Sequence, residues 1–360
     1  MNENRIVNVR DNTGFLNKLV STPSPAGFEK DAGEVFKTEV MDYLERGCYT
    51  DNFQNTWFQF GNGQKKILLS AHIDEVFSVV TYISDDGIVS IGPGGGMDKK
   101  DLPASKVVFL KDNGILTGGI VIKNPIHIEY LEETKDKVMK YEELKVDVGC
   151  DTKEEVLARG IHPGTPVLYD RMSNFNFGKN RMYSVGLDDK IGVFVAEEVF
   201  RSLCFAEDKS WMDEYTVVLL AAAQEETGCR GVCVAARKIN PDISIDFDVT
   251  FATDGDMGLN KAKYGDISLG KGPVICYGPS KSLRLNLALK NAANGFYQEE
   301  ASGRAGGTNT DNIQEFSEDC ETTLVSIPNR SMHTRVETCD WRDVQGAVDM
   351  VANAIINCKL

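Results

Sequence analysis

Apolar residues recur at two spacings along this chain, every three or four positions in some stretches and in short unbroken runs in others, and the two spacings predict different elements. Phe15, Leu16, Leu19 and Val20 mark a helix over residues 12–20, which Ser21-Thr22-Pro23-Ser24-Pro25-Ala26-Gly27 breaks. Ala32, Val35, Phe36, Val40, Met41 and Leu44 mark an amphipathic helix over residues 29–46, with Gly47 as its stop. Short strands follow at 56–60 and 67–71, the second running into His72-Ile73-Asp74-Glu75. The longest apolar run covers residues 216–223 and closes on Gln224-Glu225-Glu226-Thr227-Gly228. It reads as a strand buried on both faces of a parallel sheet, with two acids at its carboxyl edge. Helices are expected from Asp188 onward through Val193, Val195, Val199 and Leu203, at 230–238, near 312–316 and at 341–357, and strands around 247–254 and 323–328.

Between Val76 and about Asp170 the texture changes. Runs at 79–83, 107–110, 119–122 and 167–169 are separated by Asp85-Asp86-Gly87, Pro93-Gly94-Gly95-Gly96, Asp112-Asn113-Gly114 and His162-Pro163-Gly164. Short strands with turn signals between them predict a small all-β module, with one helix at 153–159. The glycines at 94–96 make no phosphate loop, because neither a Lys-Ser/Thr pair nor a helix follows them. The chain thus divides into a discontinuous α/β domain, residues 1–75 and 171–360, and an inserted β-rich domain, residues 76–170.

Composition narrows the function classes. A net charge of -15 and a pI near 4.8 leave no basic surface excess to neutralise phosphate, which argues against nucleic acid and anionic membrane as partners. The polar start, Met1-Asn2-Glu3-Asn4-Arg5, is not that of a signal peptide, so the cytoplasm is the expected location. Nine scattered cysteines read as buried thiols in a reducing compartment, Cys229 and Cys233 included.

Candidate chemistry sits where strands end. His72, one of four histidines, follows a buried strand, and Asp74, two positions on, lies on the same face of an extended segment, placed to accept the imidazole's other N–H. Asp188 and Asp189 precede a helix and read first as an N-cap pair, of which one is enough for a metal. Asp248 interrupts an apolar stretch, where an unpaired carboxylate is costly, so a metal or cationic partner is implied. His333 lies in the loop after the last strand. Glu225 and Glu226 alone would read as a solvated loop start. With the others they complete a set of two imidazoles and three carboxylates, suited to two zinc or cobalt ions sharing one carboxylate, plus a spare Glu. His127 and His162, with no acid paired nearby, read as structural. The glycine-rich segment 303–311 either approaches a ligand with its backbone or is an ordinary tight connection.

Ala71-His72-Ile73-Asp74-Glu75-Val76, Gly186-Leu187-Asp188-Asp189-Lys190, Gln224-Glu225-Glu226-Thr227-Gly228, Phe247-Asp248-Val249-Thr250 and Ile327-Pro328-Asn329-Arg330-Ser331-Met332-His333 resemble, in order, the five metal-site motifs of the glutamyl and tetrahedral aminopeptidases. Some members of that family carry the label endoglucanase. The likeness extends to Thr22-Pro23-Ser24-Pro25-Ala26-Gly27, Val146-Asp147-Val148-Gly149 and Gly160-Ile161-His162-Pro163-Gly164. It implies a zinc-peptidase α/β domain, a mixed sheet with helices on both faces, interrupted by a small β-barrel-like dimerisation domain. It also implies two divalent ions, zinc first and cobalt second. His72 and Asp248 would hold one ion, Glu226 and His333 the other, and Asp188 would bridge them. Glu225 would be general base, Asp74 would orient His72, and Gly307, Asn309 and Asp311 would contact substrate. Self-assembly of dimers into dodecamers is the implied partnership. Two departures stand out. Phe77 replaces a usual Gly, and Asn309-Thr310-Asp311 replaces Asp-Ala-Gly, so Asn309 lacks an acid unless Asp311 supplies it.

The expected activity is metal-dependent release of N-terminal residues from peptides. A glycosidase reading fits less well, because adjacent strand residues point to opposite faces and Glu225 and Glu226 would not flank one bond. A non-catalytic assembly protein that keeps the fold is the third reading.

Overall fold

A computed structural model describes residues 6–45, 47–129, 138–256, 258–303, 307–357 and 360. The chain forms two compact units, one of Met1–Asp74, Ser173–Met332 and Val336–Leu360, the other of Glu75–Met172 with His333–Arg335.

An eight-stranded mixed sheet centres the first unit, in the order Tyr49–Thr50, Thr56–Gly61, Tyr215–Ala222, Lys65–His72, Ile243–Phe251, Glu321–Asn329, Val274–Tyr277, Gln298–Ala301. The four strands from Tyr215–Ala222 to Glu321–Asn329 are mutually parallel. Their carboxyl ends therefore share one edge, where the crevice of such sheets lies. Period-two alternation sorts their side chains. Ile67, Leu69, Ala71, Val217, Leu219, Ile245 and Phe247 pack with the helices Leu187–Phe205 and Trp341–Ile356, whereas Leu68, Val218, Leu220 and Ala222 pack with Arg230–Ile239 and Ile313. Helices thus cover both faces. Each fully buried Leu or Val in these strands contributes about 1.5 to 3 kcal/mol relative to exposure.

Several elements differ from the sequence expectation. The second helix covers Lys30–Met41 and ends short of Gly47, while Arg46, its expected end, lies outside the described residues. The helix expected near 312–316 begins at Asn309. Val274–Tyr277, Gln298–Ala301 and Leu283–Ala292 were not expected, nor was a separate sheet of Ser173–Phe177, Arg181–Ser184 and Glu337–Asp340.

The second unit is a closed six-stranded barrel, in the order Ser78–Ile83, Val89–Pro93, Lys145–Asp147, Leu116–Val121, Lys106–Leu110, Pro166–Tyr169. Closure leaves no free sheet edge, and Val80, Ile91, Val107, Phe109, Val121, Val146 and Val167 fill the interior. The short helix Lys153–Ala158 is capped by Thr152, whose hydroxyl accepts from Glu155 N at 3.2 Å. His162 is not without an acid: its Nε2 lies 3.2 Å from both oxygens of Asp112, because the turns carrying them meet. Phe77 is buried against Gly94, where a Cβ would stand 2.5 Å from its ring. Among the described residues no helix is long and apolar enough to cross a membrane.

Candidate active site

Register sets the positions at the shared edge. Ala222 pairs with His72 and Ser70 with Asp246, so His72 and Asp248, each two residues further on, leave neighbouring parallel strands on the same face. His72 is buried, with Nε2 3.2 Å from Asp188 Oδ1 and 3.9 Å from Glu225 Oε2. His72, Glu225 and Glu226 each offer a ligand atom within 4.8 Å of the others; so do His72, Asp189 and Asp248, and Asp188 with Glu226.

The pair Asp188-Asp189 divides its labour. Both have non-helical backbone angles, so the regular helix begins after them. Asp189 is the cap: its Oδ1 accepts from Gly192 N at 3.0 Å and its Oδ2 from His72 N at 3.3 Å. Asp188 is left facing the imidazole.

Asp74 acts on both neighbouring strands. Its carbonyl oxygen lies 3.1 Å from His72 Nδ1, closer than its carboxylate Oδ1 at 3.6 Å. The carboxylate instead accepts from two consecutive backbone groups, Glu225 N at 2.9 Å and Glu226 N at 3.0 Å. Strand alternation does not govern those two glutamates, as the sequence reading assumed. The strand ends at Ala222, and Gln224, with φ 58°, turns the chain so that both carboxylates converge near His72.

Burial dominates the electrostatics and crowding adds to it. Burial pushes the Glu225 carboxyl up to about 7; the His72 imidazole opposes this, while Glu226, Asp74 and Asp188 add to it. Burial and neighbouring acids also hold Asp189 and Asp248 well above the usual carboxylate range. Burial works to lower the His72 pKa, but Glu225, Asp188, Asp74 and Asp189 together carry it well above the ordinary imidazole range. Anionic charge exceeds the single imidazole, an environment that favours a further cation.

His333 follows the strand Glu321–Asn329 in sequence but belongs to the barrel unit by its contacts. Its Nδ1 lies 3.0 Å from the carbonyl oxygen of Gly96. A Cβ at Gly96 would come within 2.6 Å of that nitrogen, which explains a glycine there. His72 and His333 thus both set Nδ1 against a backbone carbonyl, the arrangement that fixes a tautomer and turns Nε2 to a metal.

Of the residues expected to meet substrate, Gly307 is exposed with φ 78°, and Asn309 is buried at the start of its helix. Asp311 is held by the Ser280 hydroxyl and by Lys281 Nζ at 3.0 Å. Arg304, Ala305 and Gly306 of that loop lie outside the described residues.

Two carboxylates escaped the sequence reading. Asp246, fully buried and pushed by that burial to about 7, accepts from Ser70 Oγ at 2.5 Å and Thr310 Oγ1 at 3.0 Å. Its place two residues before Asp248 was the available signal. Glu29, also buried, accepts from Gln224 N at 3.0 Å.

A family model, M42 glutamyl aminopeptidase, matches residues 56–350. The chain belongs to that family. It is a peptide hydrolase. The lysyl aminopeptidase of Pyrococcus furiosus is 29% identical over 342 residues, covering 93% of this chain and 94% of that protein. Aminopeptidase APDkam598 from the archaeon Desulfurococcus kamchatkensis superposes with a TM-score of 0.86 at 28% identity, over 97% of this chain and 95% of its own. The TET1 peptidase of Pyrococcus horikoshii, which can assemble into a tetrahedron or a large octahedral shell, does so with a TM-score of 0.79 at 25% identity, over 95% and 98%. The M42 fold accounts for both units, the mixed α/β sheet and the closed barrel.

Proposed function

We propose that this M42 peptidase is a metal-dependent aminopeptidase that cleaves N-terminal residues from peptides, with Glu225 as general base. The observation that carries the reading is the two-pronged hold of Asp74 on the backbone of Glu225 and Glu226. One turn thereby presents two carboxylates to the imidazole of His72. The donor set fits divalent metal: imidazole nitrogens with Nδ1 engaged on carbonyls, and carboxylates whose burial first, and then their crowding, raises their proton affinity.

His72 and Asp248 would hold one ion, Glu226 and His333 a second, and Asp188 both, with zinc expected ahead of cobalt. The chemistry such ions supply when bound is Lewis acidity, which lowers the pKa of a water and polarises the scissile carbonyl. Glu225 takes the water's proton and delivers it to the leaving amine. Its near-neutral proton affinity, set first by burial, suits a group that must both accept and return a proton. Asp311 is committed to Lys281 and Ser280, so we assign the contact with the substrate amine to Asn309, whose Oδ1 is buried without a hydrogen-bond partner among the described residues. Gly307 would line the same approach with its backbone. The barrel is proposed as a dimerisation domain, with dimers building a larger homo-oligomer in the cytoplasm.

A panel of aminoacyl-arylamides assayed with metal-stripped and metal-restored protein tests this. Turnover should vanish on chelation and return with zinc or cobalt; turnover that survives complete metal removal would contradict it.

A further inference from the structure

Four consecutive backbone N–H groups beyond the strand Tyr215–Ala222 donate to side chains from elsewhere. Ala223 N donates to Asn55 Oδ1 at 3.0 Å, Gln224 N to Glu29 Oε1 at 3.0 Å, and Glu225 N and Glu226 N to Asp74. The chain has left the sheet here, so no neighbouring strand supplies acceptors, and each buried N–H needs one. Of the three holders, Glu29 grips the residue whose positive φ sets the direction of the whole turn.

Glu29 is itself held through one carboxylate oxygen, Oε1, while Oε2 is buried without a hydrogen-bond partner among the described residues. It is fully buried, and the same Oε1 accepts from Gly27 N at 2.8 Å. Gly27 has φ 93°, a conformation that glycine adopts without strain. The segment 22–29 also reaches two other parts of the site. The Ser24 hydroxyl donates to the carbonyl of Ile73, next to His72, at 2.7 Å. Lys190, two residues past Asp188, donates to the carbonyl of Thr22 at 2.9 Å. One loop therefore touches the segments that carry His72, Asp188 and Glu225. None of these contacts involves a candidate ligand atom or a reacting group.

We infer that residues 22–29 form the element that sets the relative positions of these segments, and that Glu29 is a positioning residue for Glu225 and Glu226, acting as a hydrogen-bond acceptor. The inference rests on the aminopeptidase reading for its effect on turnover and on backbone geometry alone for its effect on the turn. A general base displaced by about 1 Å loses on the order of a hundredfold in rate, so turnover should register the loss more than substrate binding does.

Glu29→Ala and Glu29→Gln, compared with the wild type, test it. Amide hydrogen exchange is followed at Gln224 to Glu226, alongside kcat, KM and Tm at saturating metal. Glu29→Ala should exchange about tenfold faster at Gln224, consistent with one hydrogen bond lost, and lose about 10- to 100-fold in kcat with KM within about twofold. Glu29→Gln keeps an acceptor oxygen and should stay within about threefold of wild type in both readouts. If Glu29→Ala does not fold, Glu29→Asp, which withdraws the acceptor by one methylene, replaces it with the same expected direction. A lowered Tm with unchanged kcat and unchanged exchange at Gln224 would reduce Glu29 to a structural residue. Equal losses in the Ala and Gln variants would place the effect in charge and overturn the acceptor role. A wild-type protein inactive on every peptide substrate would sink the aminopeptidase reading, while the exchange comparison would still decide the role of Glu29.

Discussion

Two adjacent glutamate pairs among the described residues differ in their company, the half-buried Glu225-Glu226 beyond a strand and the buried Glu197-Glu198 inside the helix Leu187–Phe205. In both, burial is the first cause of a raised carboxyl pKa. Glu198 accepts from Asn12 Nδ2 at 2.7 Å and Arg201 at 3.2 Å, and Glu197 from the Tyr43 hydroxyl at 2.9 Å. That pair is closed by a cation, an amide and a phenol. The strand-end pair is gripped through its backbone, and its carboxylates are turned toward an imidazole that already faces another acid. Adjacent acids therefore become a candidate site when the fold holds them by their main chain and gathers their carboxylates around one imidazole. When amide, phenol and guanidinium donors engage the carboxylates instead, the pair reads as structural.

The largest expected effect comes from a third adjacent pair, Asp188-Asp189, which mixes both situations. Asp188→Asn should drop activity to background and lower metal retained after gel filtration, since a carboxamide is a poor substitute for a shared anionic ligand. Asp189→Ala, which removes the acceptor for Gly192 N, should keep metal and some activity, and cost about 1 kcal/mol of stability, the ordinary worth of a helix cap, read from denaturant unfolding. Reversed outcomes would exchange the two roles.

A smaller effect tests the closed pair. The folded-state pKa of Glu197 is raised above its ordinary 4.5, first by burial and then by Glu198, with Glu39 adding to it and Tyr43 and Arg201 opposing. A carboxyl raised in the folded state contributes stability that is full below its unfolded pKa and is lost as pH rises through the folded one. Glu197→Gln keeps an acceptor for Tyr43 and removes that dependence. Its Tm should exceed wild type by about 2 °C at about pH 8, on the order of 1 kcal/mol for a chain of this size, and match it near pH 4. Catalysis should be unaffected. A Tm difference that does not change with pH would show that Glu197 carries no such penalty.

Much of this organisation was legible in the residues. The unbroken run at 216–223 gave away a central strand because burial on both faces leaves no polar alternation, and the change of texture after Val76 marked the start of a different kind of sheet. What failed to show has physical reasons. Leu283, Leu285, Leu287 and Leu289 alternate with other residues as a strand would, yet they lie on a helix with Leu283 and Leu287 exposed, so the period misleads. Gln298–Ala301 is an edge strand without an apolar stripe. Glu29 read as a helix start, because nothing local reveals that its carboxylate reaches a backbone 195 residues away. Asp74 stood out for its spacing from His72, but its carboxylate serves Glu225 and Glu226, a contact that only the parallel register of two strands creates.

The proposed roles of the two glutamates differ, Glu225 to move protons and Glu226 to hold metal. Glu225→Gln, assayed for kcat on an aminoacyl-arylamide and for bound metal by mass spectrometry on the same preparation, tests that division directly. Turnover should fall about a hundred- to ten-thousand-fold with the metal stoichiometry of the wild type. Near-full turnover, or loss of metal together with activity, would contradict it.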